Sequence, residues 1–427
     1  MKISPARVAA FEVLRDLDLK QMSSSDLLTS ADERLTAKDA GLCREIVLGV
    51  LRRQMFLDAI IHSFTGNRSI DPEVLFALRI GAFQLLFLDR IPAFAAISDS
   101  VELVRRFKKS SAAPFVNAVL RKLQSGVPEL EFSDDVERIA TETSHPRSLI
   151  EKWSGDHGFE IASAIALANN ERPKVAFRKL CHIPDSELSA YSGSYYVENC
   201  YLAEGFDEQL LHWMREGKVY VQDEGSQIVA SLVDIPERST FLDLCAAPGG
   251  KTGFVASRHS HPDRLIVAAD SSPRRLTTLQ KNLAYQNVKS VRIVQIDGTS
   301  AMPFDAESFD RILVDAPCTG TGTIRHNPEI RYRVTRERIG AAKEKQLRLL
   351  QNSSKLVRKG GKLIYSTCSL EPEENEQVAG EFLSGHKDFV QLSASEKIMR
   401  MSAGDALRTW PHRDGMDGFF AAVFARY

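Results

Sequence analysis

The stretch Thr240–Thr252, Thr-Phe-Leu-Asp-Leu-Cys-Ala-Ala-Pro-Gly-Gly-Lys-Thr, decides how the chain folds. Phe241, Leu242 and Leu244 make a short apolar run that predicts a buried strand. The run stops at Pro248-Gly249-Gly250, and Lys251-Thr252-Gly253-Phe254-Val255-Ala256 opens a predicted helix. Strand, glycine turn and helix N-terminus together present backbone N–H groups to a nucleotide-like ligand in open α/β sheets. Asp270 ends a second apolar run, Leu265-Ile266-Val267-Ala268-Ala269, where a carboxylate suits the hydroxyls of a ribose. A phosphate loop of the Walker A type needs a glycine where this chain has Cys245, and the G-x-G-x-x-G pattern is missing. The pattern therefore favours a nucleoside ligand without a pyrophosphate, such as S-adenosylmethionine.

At 427 residues the chain has room for two or three domains, each with its own core. The formal net charge of −1 argues neither for nor against a nucleic-acid partner, so the distribution of charge must decide. Six cysteines, Cys43, Cys181, Cys200, Cys245, Cys318 and Cys368, show no C-x-x-C pair, which speaks against a zinc site, and no metal is expected. Met1–Arg7 lacks a signal-peptide core, and the best apolar run, Phe76–Leu88, is interrupted by Arg79. A cytoplasmic protein with reduced thiols is expected.

Upstream of the decisive stretch, residues 1–128 carry helix-period patterns: Val8–Leu17, Leu42–Leu51, Leu57–Phe64, Val74–Leu88 behind an Asp71-Pro72-Glu73 cap, Ile97–Phe107 and Phe115–Leu123. They predict an all-α bundle of six or seven helices. Arg105, Arg106, Lys108 and Lys109, followed by Arg121 and Lys122, form either a solvated helix face or a phosphate-facing patch. Residues 129–218 read as a helical connector and a small α+β piece, with short strands at Val175–Phe177, Tyr195–Val197 and Val219–Val221. From 219 to 427 strands alternate with helices, at Phe241, Leu265–Ala269, Val291–Ile296, Arg311–Val314 and Lys362–Tyr365, which predicts a parallel, doubly wound sheet. A last strand, Gly418–Ala425, is expected as an antiparallel edge hairpin.

Several of these strands end in polar or reactive residues: Asp270, Asp297, Asp315 and Ser366-Thr367-Cys368. Ligands in such sheets bind at the carboxyl ends of the strands, so these side chains are expected to converge on one crevice. Cys43, Cys181 and Cys200 are expected as small buried hydrophobes. Cys318 and Cys368 fall on the rim instead, where a helix N-terminus or a cation would turn a thiol into a nucleophile. A thiol beside a methyl-donor pocket points to methylation of a carbon that is not nucleophilic unaided, such as C5 of cytosine or uracil. Thiolate addition at C6 makes C5 reactive, a second cysteine assists release, and a carboxylate such as Asp315 reads N3 and the exocyclic amine of cytosine. The base must be unpaired or flipped out, which costs least in single strands and loops. Between Arg325 and Lys359 eleven Lys/Arg stand against Glu329, Glu337 and Glu344, which suits a polyanion, and Tyr332 lies among them as a stacking candidate.

Three motifs, Leu244–Thr252 (LCAAPGGKT), Asp315–Gly322 (DAPCTGTG) and Tyr365–Asn375 (YSTCSLEPEEN), closely resemble those of the Sun/Fmu family of RNA cytosine-C5 methyltransferases. Independently, Cys43–Arg53, Leu78–Leu88, Ile91–Val101 and Phe115–Lys122 resemble the NusB-like RNA-binding domain. That pairing is found in the bacterial 16S rRNA cytosine-C5 methyltransferases, so the resemblance spans almost the whole chain. It implies a Rossmann-like S-adenosylmethionine-dependent domain over 219–427, a NusB-like bundle over 1–128, and a small RNA-recognition-like subdomain within 129–218. It further implies Cys368 as nucleophile, Cys318 as the residue assisting release, and a cofactor segment Cys245-Ala246-Ala247-Pro248-Gly249-Gly250-Lys251. Asp270 would then lie on the ribose, Asp297 near the adenine and Asp315 at the junction of cofactor and base. In place of the family's Arg-Val-Asn strand this chain has Val175-Ala176-Phe177-Arg178. The expected substrate is 16S rRNA, naked or in a pre-ribosomal particle, and the expected state a monomer. The competing readings are a non-catalytic RNA-binding or assembly factor on the same scaffold, and the same chemistry on tRNA or DNA.

Overall fold

The computed structural model describes residues 3–427 except 21, 67, 237, 259–263 and 394–400. The chain forms two compact units, Met1–Asn170 with His326–Arg333, and Glu171–Arg325 with Val334–Tyr427.

The first unit is all-helical, with helices Pro5–Lys20, Ser24–Asp32, Ala37–Thr65, Pro72–Phe87, Ala93–Arg106, Ala113–Ser125, Asp135–Thr143, Arg147–His157 and Phe159–Ala168. Ala37–Thr65 runs unbroken for 29 residues, joining the two helices expected at Leu42–Leu51 and Leu57–Phe64. The intervening Arg52–Phe56 contains no Gly or Pro to stop the first segment, so one helix carries both apolar stripes. At Gly49 this helix meets the Phe83 ring so closely that an added Cβ would lie 1.9 Å from it. The Asp71 carboxylate accepts from the Glu73 N–H at 3.0 Å, as the Asp-Pro-Glu signal predicts.

His326–Arg333 contributes a 3₁₀ turn, Pro328–Tyr332, to this helical unit. Glu329 sits at the N-terminus of helix Ser24–Asp32, accepting from Ser24 N–H at 2.8 Å and its hydroxyl at 2.9 Å, where the helix dipole favours an anion. The Arg331 guanidinium is buried among oxygens, donating to Thr143 O at 2.8 Å, Asn170 Oδ1 at 2.9 Å and Asn169 O at 3.3 Å. The Tyr332 hydroxyl donates to Leu51 O at 2.7 Å, and Arg333 donates to Met22 O at 2.8 Å. The stacking expectation for Tyr332 and the phosphate expectation for Arg331 and Arg333 are therefore corrected. The arginines satisfy carbonyls at helix ends and in loops, Tyr332 donates to a carbonyl inside helix Ala37–Thr65, and Arg331 is fully buried. Cys181 is likewise corrected, being exposed whereas Cys43 and Cys200 are buried.

The second unit contains two sheets. Strands β1 (Val175–Lys179), β2 (Ser192–Gly193), β3 (Cys200–Ala203) and β4 (Val219–Val221) form an antiparallel sheet in the order β2-β3-β1-β4. The expected strand at Tyr195–Val197 is a connection, because the Ser194 hydroxyl accepts the N–H groups of Tyr196 and Val197 and turns the chain there. Both faces of its central strand β1 are packed. Phe177 and Val219 pack with Leu210 and Trp213, while Ala176 and Cys200 pack with Ile228 and Phe254.

The larger sheet holds β5 (Thr240–Asp243), β6 (Leu265–Asp270), β7 (Val291–Gln295), β8 (Phe309–Asp315), β9 (Val357–Thr367), β10 (Phe389–Leu392), β11 (Ser402–Ala403), β12 (Ala406–Arg408) and β13 (Phe420–Arg426). Its order is β11-β12-β13-β9-β8-β5-β6-β7, with β10 on β13. Strands β9, β8, β5, β6 and β7 are parallel, and β13 runs antiparallel to β9. The final strand is thus antiparallel as expected but interior rather than an edge, and its run Phe420, Ala421, Ala422 is buried accordingly. Alternate residues face opposite sides: Leu242, Ile312 and Leu363 pack with Leu349 and Phe382, whereas Phe241, Leu313 and Ile364 pack with Val229 and Val255. The connections leave β5 toward β6 on one side and return to β8 on the other, which makes a topological switch point at the carboxyl end of β5. Among the described residues no helix is long and apolar enough to cross a membrane.

Replacing Arg331 by methionine strands its carbonyl partners, so the helical unit is expected to lose about 3 kcal/mol. Denaturant unfolding followed through the helical circular dichroism signal checks this; an unchanged midpoint would contradict the assigned role.

Candidate active site

At the carboxyl end of β5 the chain leaves the sheet through Ala246, whose N–H donates to Ala269 O at 2.8 Å, and turns so that Gly249 N–H donates to Ala246 O at 2.8 Å. Gly249 adopts φ +103°, and a Cβ there would lie 2.7 Å from Leu279 Cδ1. A side chain is excluded on both counts. Asn282 donates to Pro248 O at 2.8 Å and Arg275 to Ala247 O at 2.5 Å, which fixes the turn from outside. Helix Gly250–Arg258 then begins.

This turn lines a cavity of about 210 Å³ at the switch point, with Asp243, Cys245, Ala246, Ala247, Pro248, Gly250, Lys251 and Asp315 on one side and Tyr220, Val221, Gln222 and Ser226 on the other. Gly249 supports the turn without lining the cavity. Asp270 is buried beside it, accepting from Ser272 N–H at 3.0 Å and paired with Arg275 at 3.0 Å. Asp297 is exposed, holds Thr299 through its N–H at 3.0 Å and its hydroxyl at 2.7 Å, and does not line the cavity. The structure therefore gathers Cys245–Pro248, Gly250, Lys251 and Asp315 around one space, with Asp270 next to it and Asp297 outside.

Asp243 was not singled out by the sequence. One of its oxygens accepts from the Thr252 hydroxyl at 2.6 Å, and the other, buried, has no hydrogen-bond partner. Burial pushes this carboxyl up to about 7, with Asp315 adding to the rise and the Thr252 hydrogen bond opposing it. An unsatisfied buried carboxylate oxygen in a cavity fits a ligand that brings hydrogen-bond donors and positive charge, as S-adenosylmethionine does.

Lys251 reaches from the turn to Asp315, Nζ to Oδ2 at 2.6 Å, and lies 5.2 Å from the centre of the Phe419 ring. Burial pulls its ammonium down, but Asp315, with smaller contributions from Cys368 and Asp243, outweighs that and holds it protonated. The second Asp315 oxygen accepts from the Ser366 hydroxyl at 2.7 Å. On the loops that follow β8 and β9 the two rim cysteines meet, with Cys318 Sγ and Cys368 Sγ 3.3 Å apart. The Cys318 thiol is pushed well above its ordinary range, first by its hydrogen bond to Cys368 and then by burial. Cys318 is thus the thiol that stays protonated.

The two loops are locked to each other and to the last strand. Gly322 N–H donates to Cys368 O at 2.9 Å, and Gly418 N–H donates to Gly322 O at 2.9 Å. A Cβ on Gly322 would fall 2.0 Å from the Gly418 carbonyl oxygen. Of the basic residues beyond Cys318, Arg325 is buried, donating to Gly415 O at 3.0 Å beside Asp417. The phosphate expectation is corrected for it as well. Arg336, Arg338, Arg348 and Lys355 are exposed along and just beyond helix Arg336–Ser354. The buried face of that helix sets Gln346, with Ser353 and Ser354, among Ile339, Leu349 and Leu350, and the buried amide is one the spacing alone could have flagged.

The match to known proteins fits this geometry. Residues 230–425 match the family model "16S rRNA methyltransferase RsmB/F", and residues 4–125 match the NusB family. The chain is 34% identical to the probable ribosomal RNA small subunit methyltransferase B of Bacillus subtilis, over 98% of each chain. The chain belongs to the RsmB/F family of rRNA methyltransferases. Its helical N-terminus is NusB-like, and its large sheet is the Rossmann-like domain of S-adenosylmethionine-dependent methyltransferases. Among solved structures, that of PH0851 matches with a TM-score of 0.84 and 25% identity, over all of both chains. NSun6 from Pyrococcus horikoshii with SFG, an S-adenosylmethionine analogue, shares the fold over 66% of this chain and 98% of its own (TM-score 0.56, 21% identity).

Gly322→Ala is expected to force the Cys318 loop away from Gly418 and reduce methyl transfer by about 10²-fold, since displacements near 1 Å cost that much; wild-type turnover would refute the close approach. Because the cationic cofactor favours ionised Asp243, binding below pH 7 must expel a proton. Affinity for S-adenosylmethionine is therefore expected to rise from pH 6 toward pH 8, by up to about tenfold per unit below the pKa, and Asp243→Asn to flatten that rise. Titration calorimetry across the range checks it, and equal slopes in both proteins would contradict it.

Proposed function

We propose that the protein methylates C5 of a cytosine in 16S rRNA through a covalent bond between Cys368 and C6. The observation that carries this reading is the pair of strand-end thiols 3.3 Å apart beside the Lys251–Asp315 ion pair at the rim of the cavity. An enzyme that methylated an already nucleophilic atom would need no thiol there, and two in contact supply both an attacking group and a partner for its departure.

S-adenosylmethionine, when bound, supplies an electrophilic methyl group. Cys368 sulfur adds to C6, and the electron pair displaced from the C5–C6 bond makes C5 the nucleophile. After C5 has taken the methyl, a base from solvent takes the C5 proton, the C–H electron pair restores the double bond and the C6–S pair leaves on the Cys368 sulfur, with Cys318 assisting that departure. Asp315, held by Lys251 and Ser366, reads the N3 and amino edge of cytosine in this reading. Asp270 serves the ribose, while Cys245–Pro248, Gly250 and Lys251 form the cofactor wall; Asp297, outside the cavity, takes no part in this reading. The helical N-terminus engages rRNA through exposed Arg105, Arg106, Lys108, Arg121 and Lys122, and the protein acts as a cytoplasmic monomer.

Cys368→Ala is expected to bind cofactor normally and to lose methyl transfer to background. Cys318→Ala is expected to accumulate a denaturant-resistant protein–RNA adduct, seen as a retarded band on a denaturing gel. Trapping by Cys368→Ala instead would exchange the two roles, and full activity of both variants would remove the covalent route. Methyl incorporation into rRNA compared with tRNA and DNA tests the substrate class.

A further inference from the structure

Glu374 lies six residues beyond Cys368 and is fully buried. Its carboxylate accepts four hydrogen bonds from three separated segments. Oε2 takes the Thr319 N–H at 2.9 Å and the Gln346 amide at 3.0 Å, while Oε1 takes the Ser369 hydroxyl at 2.6 Å and the Thr319 hydroxyl. Thr319 follows Cys318 and Ser369 follows Cys368. One carboxylate thus ties together the residues adjoining both thiols and anchors them to helix Arg336–Ser354, whose Gln346 also donates to Pro317 O at 3.1 Å. Around it, Tyr365 donates its hydroxyl to Glu374 O at 2.5 Å, and Asn375 donates to Ser369 O at 2.8 Å. A group that only filled space here would be apolar. Burial pushes the Glu374 carboxyl up, the four donors aimed at it oppose that rise, and the group fixes its donors as they fix it.

We propose that Glu374 is the positioning residue that sets the distance between Cys318 and Cys368 and keeps them chemically distinct, a role that rests on the two-thiol reading of the preceding subsection. The carboxylate touches neither the cofactor cavity nor a sulfur by hydrogen bond; it acts through Thr319 and Ser369. Its negative charge is also among the influences that keep the Cys318 thiol protonated, after the Cys368 hydrogen bond and burial. A neutral amide in its place loses that charge and cannot accept from all four donors.

The test compares Glu374→Gln, Thr319→Ala and Cys318→Ala with the wild-type full chain. For Glu374→Gln the expected result is a kcat lower by about 10²-fold, with KM for RNA and for S-adenosylmethionine unchanged, and a covalent RNA adduct accumulating as in Cys318→Ala. In the absence of RNA, Cys318 should be alkylated by iodoacetamide faster than in wild type, read by mass spectrometry. A merely structural glutamate would lower the melting temperature and leave the adduct level and the thiol reactivities alone. Wild-type turnover and no adduct in Glu374→Gln, where Cys318→Ala does trap, would overturn the proposal. If Cys318→Ala traps nothing, the covalent reading fails by itself, and unchanged Cys318 alkylation in Glu374→Gln still overturns the role of Glu374. Should Glu374→Gln not fold, Thr319→Ala removes one donor with the charge retained. It is expected to lower kcat with KM unchanged, and wild-type kcat there would count against the proposal.

Discussion

Gly322 and Gly418 lie backbone against backbone, and the active-site rim depends on that contact. The Gly322 N–H holds the carbonyl of Cys368, its own carbonyl holds the N–H of Gly418, and no side chain fits between them. Three stretches distant in sequence are therefore stacked at hydrogen-bond distance: the loop after β8, the loop after β9 and the start of β13. Between them they carry the two sulfurs, in contact with each other, and the Phe419 ring beside the Lys251 ammonium, although none of these three residues lines the cavity itself. The antiparallel β13 thus closes the site as well as extending the sheet.

Around this contact the charges are arranged by mutual compensation. Lys251 and Asp315 neutralise each other at the cavity, Glu374 is spent on loop donors, and Arg325 lies beside Asp417. Asp243 lines the cavity with a buried oxygen that has no hydrogen bond, which makes it sensitive to a bound cation. The cavity's second wall comes from the end of β4 and the residues after it, Tyr220–Gln222. The small sheet accordingly contributes to the cavity wall through the end of β4.

Much of this architecture was legible in the sequence because it rests on local signals. The strand-turn-helix at Thr240–Thr252, the alternation of strands and helices, and the Asp71-Pro72 cap are each written within a dozen residues, and motif likeness brought Cys318 and Cys368 forward. Long-range partnership was not legible. Glu374 reads as one acid in an acidic run until Thr319, 55 positions away in sequence, is seen to donate to it. The arginines after Cys318 read as one basic run, but Arg325 and Arg331 are buried and spend their charge on backbone carbonyls, whereas Arg336 and Arg338 are exposed. Charge counting cannot separate the two, because carbonyl groups at chain ends and turns carry no formal charge. The small strand misplaced at Tyr195–Val197 failed for a similar reason, since a serine hydroxyl turned the chain where propensity favoured extension.

The eight residues His326–Arg333 have a consequence for how this protein can be taken apart. They are coded within the methyltransferase half and yet furnish the helical half with an anion at one helix start and a guanidinium among its loop carbonyls. A fragment ending at Asn170 would expose those carbonyls and leave the Ser24 N–H and hydroxyl without the Glu329 carboxylate, so a single proteolytic or genetic cut does not yield a complete N-terminal piece. Exchanging that piece between relatives would require carrying the octapeptide along as a second graft, and the two halves are constrained to change together at those positions.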